Sequence, residues 1–406
     1  MRRSLPMPVV QLPPTALRVG QPIPVALRDA SGRLLLARGT LLADEQQRQQ
    51  LIARGVYVDS RDSEQFKKAL AGKLDSMVRS NALLGQIARA VPDAADCAPA
   101  APRKDLDDPV AAWHGVMLRA SALLHDPPQS DFATRVHRLE RDALMLLDGD
   151  ADAALLMLIH STTSELHQYS VTHALLVMGV CELAARHLAW PAEWRPSLRR
   201  AALTMNLAMT SLQDQLALQD GPVTPPQRTM IDGHALRAAQ RMRELGVADR
   251  LWLEAVEHHH SSPAGPLADL PPMLQLARLI QRADIFAARL SPRKARQAMA
   301  ATAAAKAAYV DENQQADEAG AAIIKALGIY PPGSYVRLAN TEIGIVLRRG
   351  RRANEPVVAS IVGKSGTPLG EPAMRDIRQK ACEITGGVAP HDVKLRLNLE
   401  RLLQLG

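Results

Sequence analysis

Polar and apolar positions alternate along residues 15–60, and the stretch IPVALRDASGRLLLARG predicts two strands around a turn at Asp29-Ala30-Ser31-Gly32. A helix bearing Leu41, Leu42, Leu51 and Ile52 follows, then GVYVDS as another short strand, so 1–61 reads as a small α+β module. Residues 62–108 divide into a helical stretch up to 91 and an Ala-, Pro- and Asp-rich linker, VPDAADCAPAAPRKDLDD. From 109 to 330 Leu, Ala and Met recur at three and four spacing, the period of amphipathic helices. Within it, Thr224-Pro225-Pro226-Gln227 combines an N-cap, a proline at the first helical position and a Gln at the third; it predicts a helix from 225 to 245 that closes at Gly246. Beyond 330 the period shortens again: GIYPPGSYVRLANTEIGIVLRRG holds a Pro-Pro-Gly turn and two alternating runs, and EPVVASIVG supplies a third. Residues 331–406 are thus a β-rich appendage, ending in a short helix after 390. The fold expected is mainly α, a helical bundle between two small sheet-bearing modules.

Composition narrows the function. A chain of 406 residues exceeds one compact core of about 150 residues and is read as modular. Lys+Arg 49 against Asp+Glu 42 gives a net charge of +7, with the arginines dispersed; that balance suits an anionic ligand without calling for nucleic acid. Three Phe and five Tyr supply little surface for stacking bases, so neither DNA nor RNA is an expected partner. Cys97, Cys181 and Cys382 are far apart and odd in number, which argues for a reducing compartment. The N-terminal stretch is broken by Pro6, Pro8, Pro13 and Pro14. The most apolar helix, ALLVMGVCELAA, is too short to span a bilayer and carries Glu182. A soluble, cytoplasmic protein without membrane insertion is expected.

Four polar features interrupt the apolar helices: His173 in YSVTHALLVMG, His234 in MIDGHALRAAQRM, the run His258-His259-His260, and Asp284 in RADIFAARL. Histidine and aspartate converging from separate helices are what a bundle uses to hold divalent metals. Each also admits a plainer reading. A single histidine on a semi-apolar helix is commonly a hydrogen-bonded core residue, and Asp284 has Arg282 and Arg289 nearby in the sequence as ion-pair partners.

The order of these segments resembles the HD-GYP family, the branch of the HD-domain metal-dependent phosphohydrolases that hydrolyses cyclic di-GMP. The resemblance covers 160–340 and is carried by YSVTH, AALTMNLAM, GPVTPPQRTMIDGH, VEHHHSSPAGP, RADIFAARLSPRKAR and LGIYPPGSYVRLAN; the N-terminal module also resembles what precedes the domain in some relatives. It implies an HD-domain-like helical bundle, and it carries His173, His234, His259, His260 and Asp284 onto the family's metal ligands. A register one residue earlier would take His258 and His259 instead. Arg293 and Arg296 fall on two basic positions that in the family approach the phosphates of the dinucleotide; a solvated basic helix end is the alternative.

The pattern departs from the family where the catalytic pair should stand. Met205 occupies the histidine position, Asn206 the aspartate and Met209 the lysine. Asn206 has no charge with which to bridge two cations, and a thioether is a poor ligand for iron, manganese or magnesium. Two-metal activation of a water, whose pKa such ions lower toward ~7, loses its bridge. Ser261 replaces the glutamate after the paired histidines, and the Asp-Gly and Gly-Tyr-Pro elements shrink to Pro263-Ala264-Gly265-Pro266.

The expectation is a degenerate HD-GYP signalling protein, catalytically inactive, acting by binding cyclic di-GMP or signalling proteins and needing no cofactor. The alternative is a metal-dependent phosphodiesterase with a reduced, histidine-rich site holding a divalent metal such as iron or manganese. A third is a ligand-free scaffold. If no metal binds, His173, His234, the 259–260 pair and Asp284 should share one cavity with Met205 filling the lost ligand's place. His258 should be exposed, and the inward histidines should find other partners, Asn206 among them.

Overall fold

The computed structural model describes residues 9–11, 17, 19–20, 23, 25–29, 33–37, 39–59 and 108–406, apart from 262, 264 and 312. The helix and linker expected over 62–108 lie, but for Asp108, outside the described residues. The chain divides into two compact units, residues up to 105 with 114–128, and residues 106–113 with 129–406. Much of the Pro109–His125 helix, expected to open the helical domain, thus groups with the first unit.

In the first unit β1 (Val9–Gln11), β2 (Leu27–Arg28), β3 (Leu34–Leu36) and β4 (Tyr57–Asp59) form an antiparallel sheet ordered β1-β4-β2-β3. Asp29 closes the β2–β3 hairpin, its carboxylate accepting from the Arg33 N–H at 3.0 Å. The helix starts later than its leucines suggest. Asp44 caps Glu45–Arg54 by accepting from the Gln47 N–H at 2.7 Å, so Leu41 and Leu42 precede it. Leu42 is instead buried with Leu17, Ile23, Val25, Leu27, Leu51 and Val58.

The second unit is built around the Tyr169–His187 helix, buried without a break from Tyr169 to Ala185. A helix apolar on every side must be surrounded, and Ala151–Ser164, Arg195–Thr204, Thr210–Leu218, Pro272–Leu290 and Glu318–Leu327 pack against it. Its one acid, Glu182, has a fully buried side chain. Burial alone would raise its pKa, but the Arg199 and Arg186 guanidiniums at 2.6 Å hold it below the ordinary carboxylate range. Arg195 adds a contact at 3.1 Å, and Arg199 also binds Glu140.

The single helix predicted over 225–245 is two. Thr224 and Gln227 form the full capping box, but the chain leaves the helix at Gly233 and restarts as His234–Glu244. The pattern does not reveal the break because apolar spacing runs through it.

After Leu327, Pro331-Pro332-Gly333 makes the expected turn. Gly333 has φ +88°, and a Cβ there would stand 2.9 Å from the Leu156 carbonyl oxygen, so both backbone and neighbour require glycine. The appendage is an antiparallel sheet ordered β8-β7-β6-β5-β9: β5 Tyr335–Leu338, β6 Ile343–Arg348, β7 Val357–Val362, β8 Pro368–Arg375 and β9 Ile384–Val388. The terminal Leu399–Leu405 helix packs on β6. Apolar clusters lie on both faces of the sheet, which is why β6 and β7 are apolar almost throughout. The sequence reading missed β8 and β9, one a largely exposed edge with two prolines, the other interrupted by Gly386-Gly387.

Removing the buried acid should expose how much this network holds. Glu182→Ala leaves Arg199 and Arg195 without their central partner, and urea unfolding is expected to show a loss of about 3–5 kcal/mol. A loss below about 1 kcal/mol, the scale of surface pairs, would show that the bundle does not depend on it.

Candidate metal and anion site

Two of the histidines stand at helix ends. His234 follows the Pro225–Asp232 helix across Gly233, and His259 follows the last residue of Arg250–His258. The last carbonyls of a helix have no intrahelical N–H partner, and the rings supply one. His234 Nδ1 donates to the Ile231 carbonyl at 2.5 Å and His259 Nδ1 to the Val256 carbonyl at 2.6 Å. The helix that delivers His259 is anchored in turn: Trp252, fully buried, donates from its indole to the Thr204 hydroxyl at 2.8 Å.

These bonds set the tautomer. A carbonyl only accepts, so Nδ1 carries the hydrogen on both rings, and in the neutral imidazole Nε2 presents a lone pair. Yet His234 Nε2 lies 3.1 Å from His259 Nε2 and 3.3 Å from His260 Nε2. The three ligand nitrogens all fall within 4.8 Å of one another. Lone pairs so placed repel unless a proton or a metal cation sits among them. Burial, then the neighbouring His260 and His234, pushes His259 down to about 3, and burial also lowers His234. A proton is therefore poorly held there at neutral pH, and a metal cation is the fitting occupant. His234 and His259 are buried while His260 is exposed, which leaves the trio open on one side. Three imidazoles with an open position suit iron, zinc, copper or nickel better than magnesium or manganese.

Of the three consecutive histidines, His259 and His260 are the two that stand with His234. Exposure differs from that expected: His258 is half-buried, with the Ser261 hydroxyl 3.5 Å from its Nδ1, and His260 is exposed although its Nε2 turns toward His234.

Beside the trio, His173 and Asp284 form a couple across the Tyr169–His187 and Pro272–Leu290 helices, Nε2 to Oδ1 at 2.7 Å. Burial would raise the Asp284 pKa, but the bond to His173 and the positive potential of His173, His259 and His260 hold it down to about 2. Neither arginine considered from the sequence takes this carboxylate; Arg282 pairs with Asp317 at 3.2 Å. His173 differs from the trio in one respect: its Nδ1 is buried with no hydrogen-bond partner among the described residues.

Met205 is buried at the end of the Arg195–Thr204 helix, and Asn206 beside it is also buried. Met209 is half-buried, in the Leu207–Met209 turn that packs against the His234–Glu244 helix. Among the described residues Asn206 is not the partner the histidines were expected to use; the two helix-end carbonyls and Asp284 take that part.

Arg293 and Arg296 follow the Pro272–Leu290 helix and close a tight turn, with Arg293 N–H to Arg296 O at 2.8 Å and Arg296 N–H to Arg293 O at 2.9 Å. Among the described residues neither meets a carboxylate, and the Nε of each is buried without a partner. Burial, then the nearby Arg293 charge, lowers the Arg296 pKa. Arg296 Nη2 donates to the Ala288 and Ser291 carbonyls, and the two guanidiniums, without a carboxylate among the described residues, stand as a candidate anion subsite. Arg293 also donates to the Tyr169 hydroxyl at 3.0 Å and lies 5.1 Å from that ring's centroid. Tyr169 stacks on His173, rings 5.7 Å apart and 9° from parallel. Sequence reasoning passed over Tyr169, although it stands four residues before His173 on one helix face.

No family model matches the chain. It is similar to the cyclic di-GMP phosphodiesterase PA4108 of Pseudomonas aeruginosa, 25% identical over 204 residues that cover 49% of this chain and 49% of the relative. The chain thus spans about half the length of the curated relative it matches. Among solved structures it is similar to Bd1817, a HDG"Y"P protein from Bdellovibrio bacteriovorus, at 14% identity and a TM-score of 0.45, covering 78% of this chain and 99% of that one. The motifs in order over 160–340 and the phosphodiesterase relative, matched across half its length, make the chain similar to HD-GYP proteins. Among the described residues no helix is long and apolar enough to cross a membrane.

The pKa directions predict how metal-free protein responds to acid. His259 stays neutral in the fold down to about 3 but protonates below 6.5 when unfolded. The unfolded state then binds the extra proton, so stability falls as pH drops below 6.5, by up to about 1.4 kcal/mol per unit. Asp284 acts in a lower window: its contribution is present above 3.8 and lost as pH falls through about 2. Urea midpoints of chelator-treated wild type should fall between about pH 7 and about pH 5, and His259→Gln should flatten that slope. Parallel curves for the two proteins would contradict the buried, neutral assignment.

Proposed function

We propose that this chain is a signalling receptor of the HD-GYP type that holds one transition-metal ion on His234, His259 and His260 and binds cyclic di-GMP without hydrolysing it. The observation that carries the reading is the contrast between two halves of one site. The histidine trio has its tautomers fixed and its Nε2 atoms converged, whereas a buried Met205 and Asn206 stand where the family's bridging pair would be. A single ion on imidazoles would polarise a bound oxygen. Without an aspartate to bridge a second ion, in-line displacement lacks the paired clamp of two-metal hydrolysis.

Cyclic di-GMP is the ligand favoured by the name of the Pseudomonas relative and by the chemistry of the subsite. Arg293 and Arg296 keep guanidinium charge that no carboxylate meets among the described residues, although one Nη of each already has a neutral acceptor; such groups suit phosphodiester oxygens. His173 and Asp284 act in this reading as a neighbouring charge pair and not as ligands, because Asp284 is already committed to His173 at 2.7 Å and the His173 Nδ1 has no acceptor to orient it. One observation favours a second reading, a one-metal phosphohydrolase: the exposure of His260 leaves the trio accessible to a substrate.

Metal analysis and turnover of cyclic di-GMP with added iron or manganese separate the two. About one ion per chain is expected, lost when both His259 and His260 become Ala, with no hydrolysis above background. Calorimetry should show cyclic di-GMP binding weakened about ten-fold or more by Arg293→Ala and by Arg296→Ala. Turnover that disappears on His234→Ala would sink the receptor reading in favour of the enzyme.

A further inference from the structure

We infer that Tyr169 is a positioning residue for the anion subsite: it holds the Arg293 guanidinium in one orientation and mechanically ties it to the His173–Asp284 couple. The inference rests on the nucleotide-binding reading above and concerns a residue that reading does not use.

An arginine without a carboxylate partner is ordinarily free to sample many rotamers. Arg293 is not free, because its Nη2 donates to the Tyr169 hydroxyl at 3.0 Å and its guanidinium carbon lies 5.1 Å from the ring centroid, the range of a cation–π contact. Only one of its five N–H donors is spent in this way. No carboxylate takes the rest among the described residues, and Nε is buried without a partner. The side chain is thus ordered by a neutral group, and its charge stays available for an anion. Ordering a flexible donor before the ligand arrives removes a cost otherwise met on binding.

Tyr169 is itself rigidly held. It is the first residue of the buried helix, 2% exposed, and its ring lies 9° from parallel with His173 at 5.7 Å. The next residue pins the helix start: Ser170 donates its N–H and its hydroxyl to the Asp214 carboxylate at 2.8 and 2.9 Å. A tyrosine serving only as core packing could satisfy its hydroxyl with any acceptor. This one meets a cation that no carboxylate neutralises among the described residues. From Arg293 through Tyr169 and His173 to Asp284, contact is continuous, so an anion drawn to Arg293 bears on the carboxylate that faces the histidine trio.

Tyr169→Phe keeps the ring and its stack on His173 and deletes only the hydroxyl. In full-length protein with labelled arginine, the Nη resonances of Arg293, assigned by their loss in Arg293→Ala, should be resolved in the wild type and averaged by fast rotation in the Phe variant. Calorimetry with cyclic di-GMP and with inorganic pyrophosphate should show about ten-fold weaker binding for Tyr169→Phe. In an Arg293→Ala background the same change should cost less than about two-fold. Equal losses in both backgrounds, or an unchanged Arg293 spectrum, would overturn the positioning role. Absence of wild-type binding to both probes overturns the nucleotide reading instead; the guanidinium spectrum needs no ligand and decides the role of Tyr169 separately.

Discussion

A carboxylate with a fully buried side chain sits on the Tyr169–His187 helix, which is buried from Tyr169 to Ala185, and the bundle is arranged to meet its charge. Glu182 draws in Arg186, Arg195 and Arg199; Arg199 engages Glu140, and Arg200 reaches Asp249 at 3.5 Å. Asp249 caps the Arg250–His258 helix by accepting from the Trp252 N–H at 3.0 Å and from the Ser197 hydroxyl at 2.7 Å. The same series of ion pairs and hydrogen bonds that neutralises the core therefore fixes the helix from which His259 and His260 project. Because an unpaired buried charge is so costly, these helices have little freedom to shift independently.

The candidate site exploits the places where that framework stops. Helix ends leave carbonyls unfilled, and a ring N–H placed there is oriented without any further side chain. His234 and His259 both use this device, each bonding the carbonyl three residues back. The outcome is a set of inward lone pairs whose repulsion the fold tolerates because the backbone holds the rings. His173 lacks such a carbonyl and turns instead to Asp284. The five residues that the resemblance groups as one ligand set stand in this chain as a trio and an adjoining pair with different hydrogen bonding.

Much of this was legible in the residues. The three-and-four spacing over 109–330, the capping box at Thr224 and the Pro-Pro-Gly turn each correspond to a feature of the structure, since each depends on contacts within a few residues. The uncharged, soft character of Met205 and Asn206 was likewise plain, because side-chain charge and softness are properties of the residue itself. Less legible was the start of the first helix, where Leu42 looked helical by spacing but is buried ahead of the Asp44 cap. The strands β8 and β9 were hidden for a related reason: an exposed edge and a glycine pair carry no apolar alternation to read.

By itself the sequence determined the order of the elements, the four histidine- or aspartate-bearing segments among apolar helices, and the uncharged Met205-Asn206 pair. Only the tertiary structure decided which of them meet. The pairing of His173 with Asp284 beside the trio, the approach of His260 to His234 and the capture of Arg293 by Tyr169 all arise between elements far apart in the chain. Periodicity reports which face of a helix is apolar, and the distances that give histidines a common chemistry depend on how those faces are brought together.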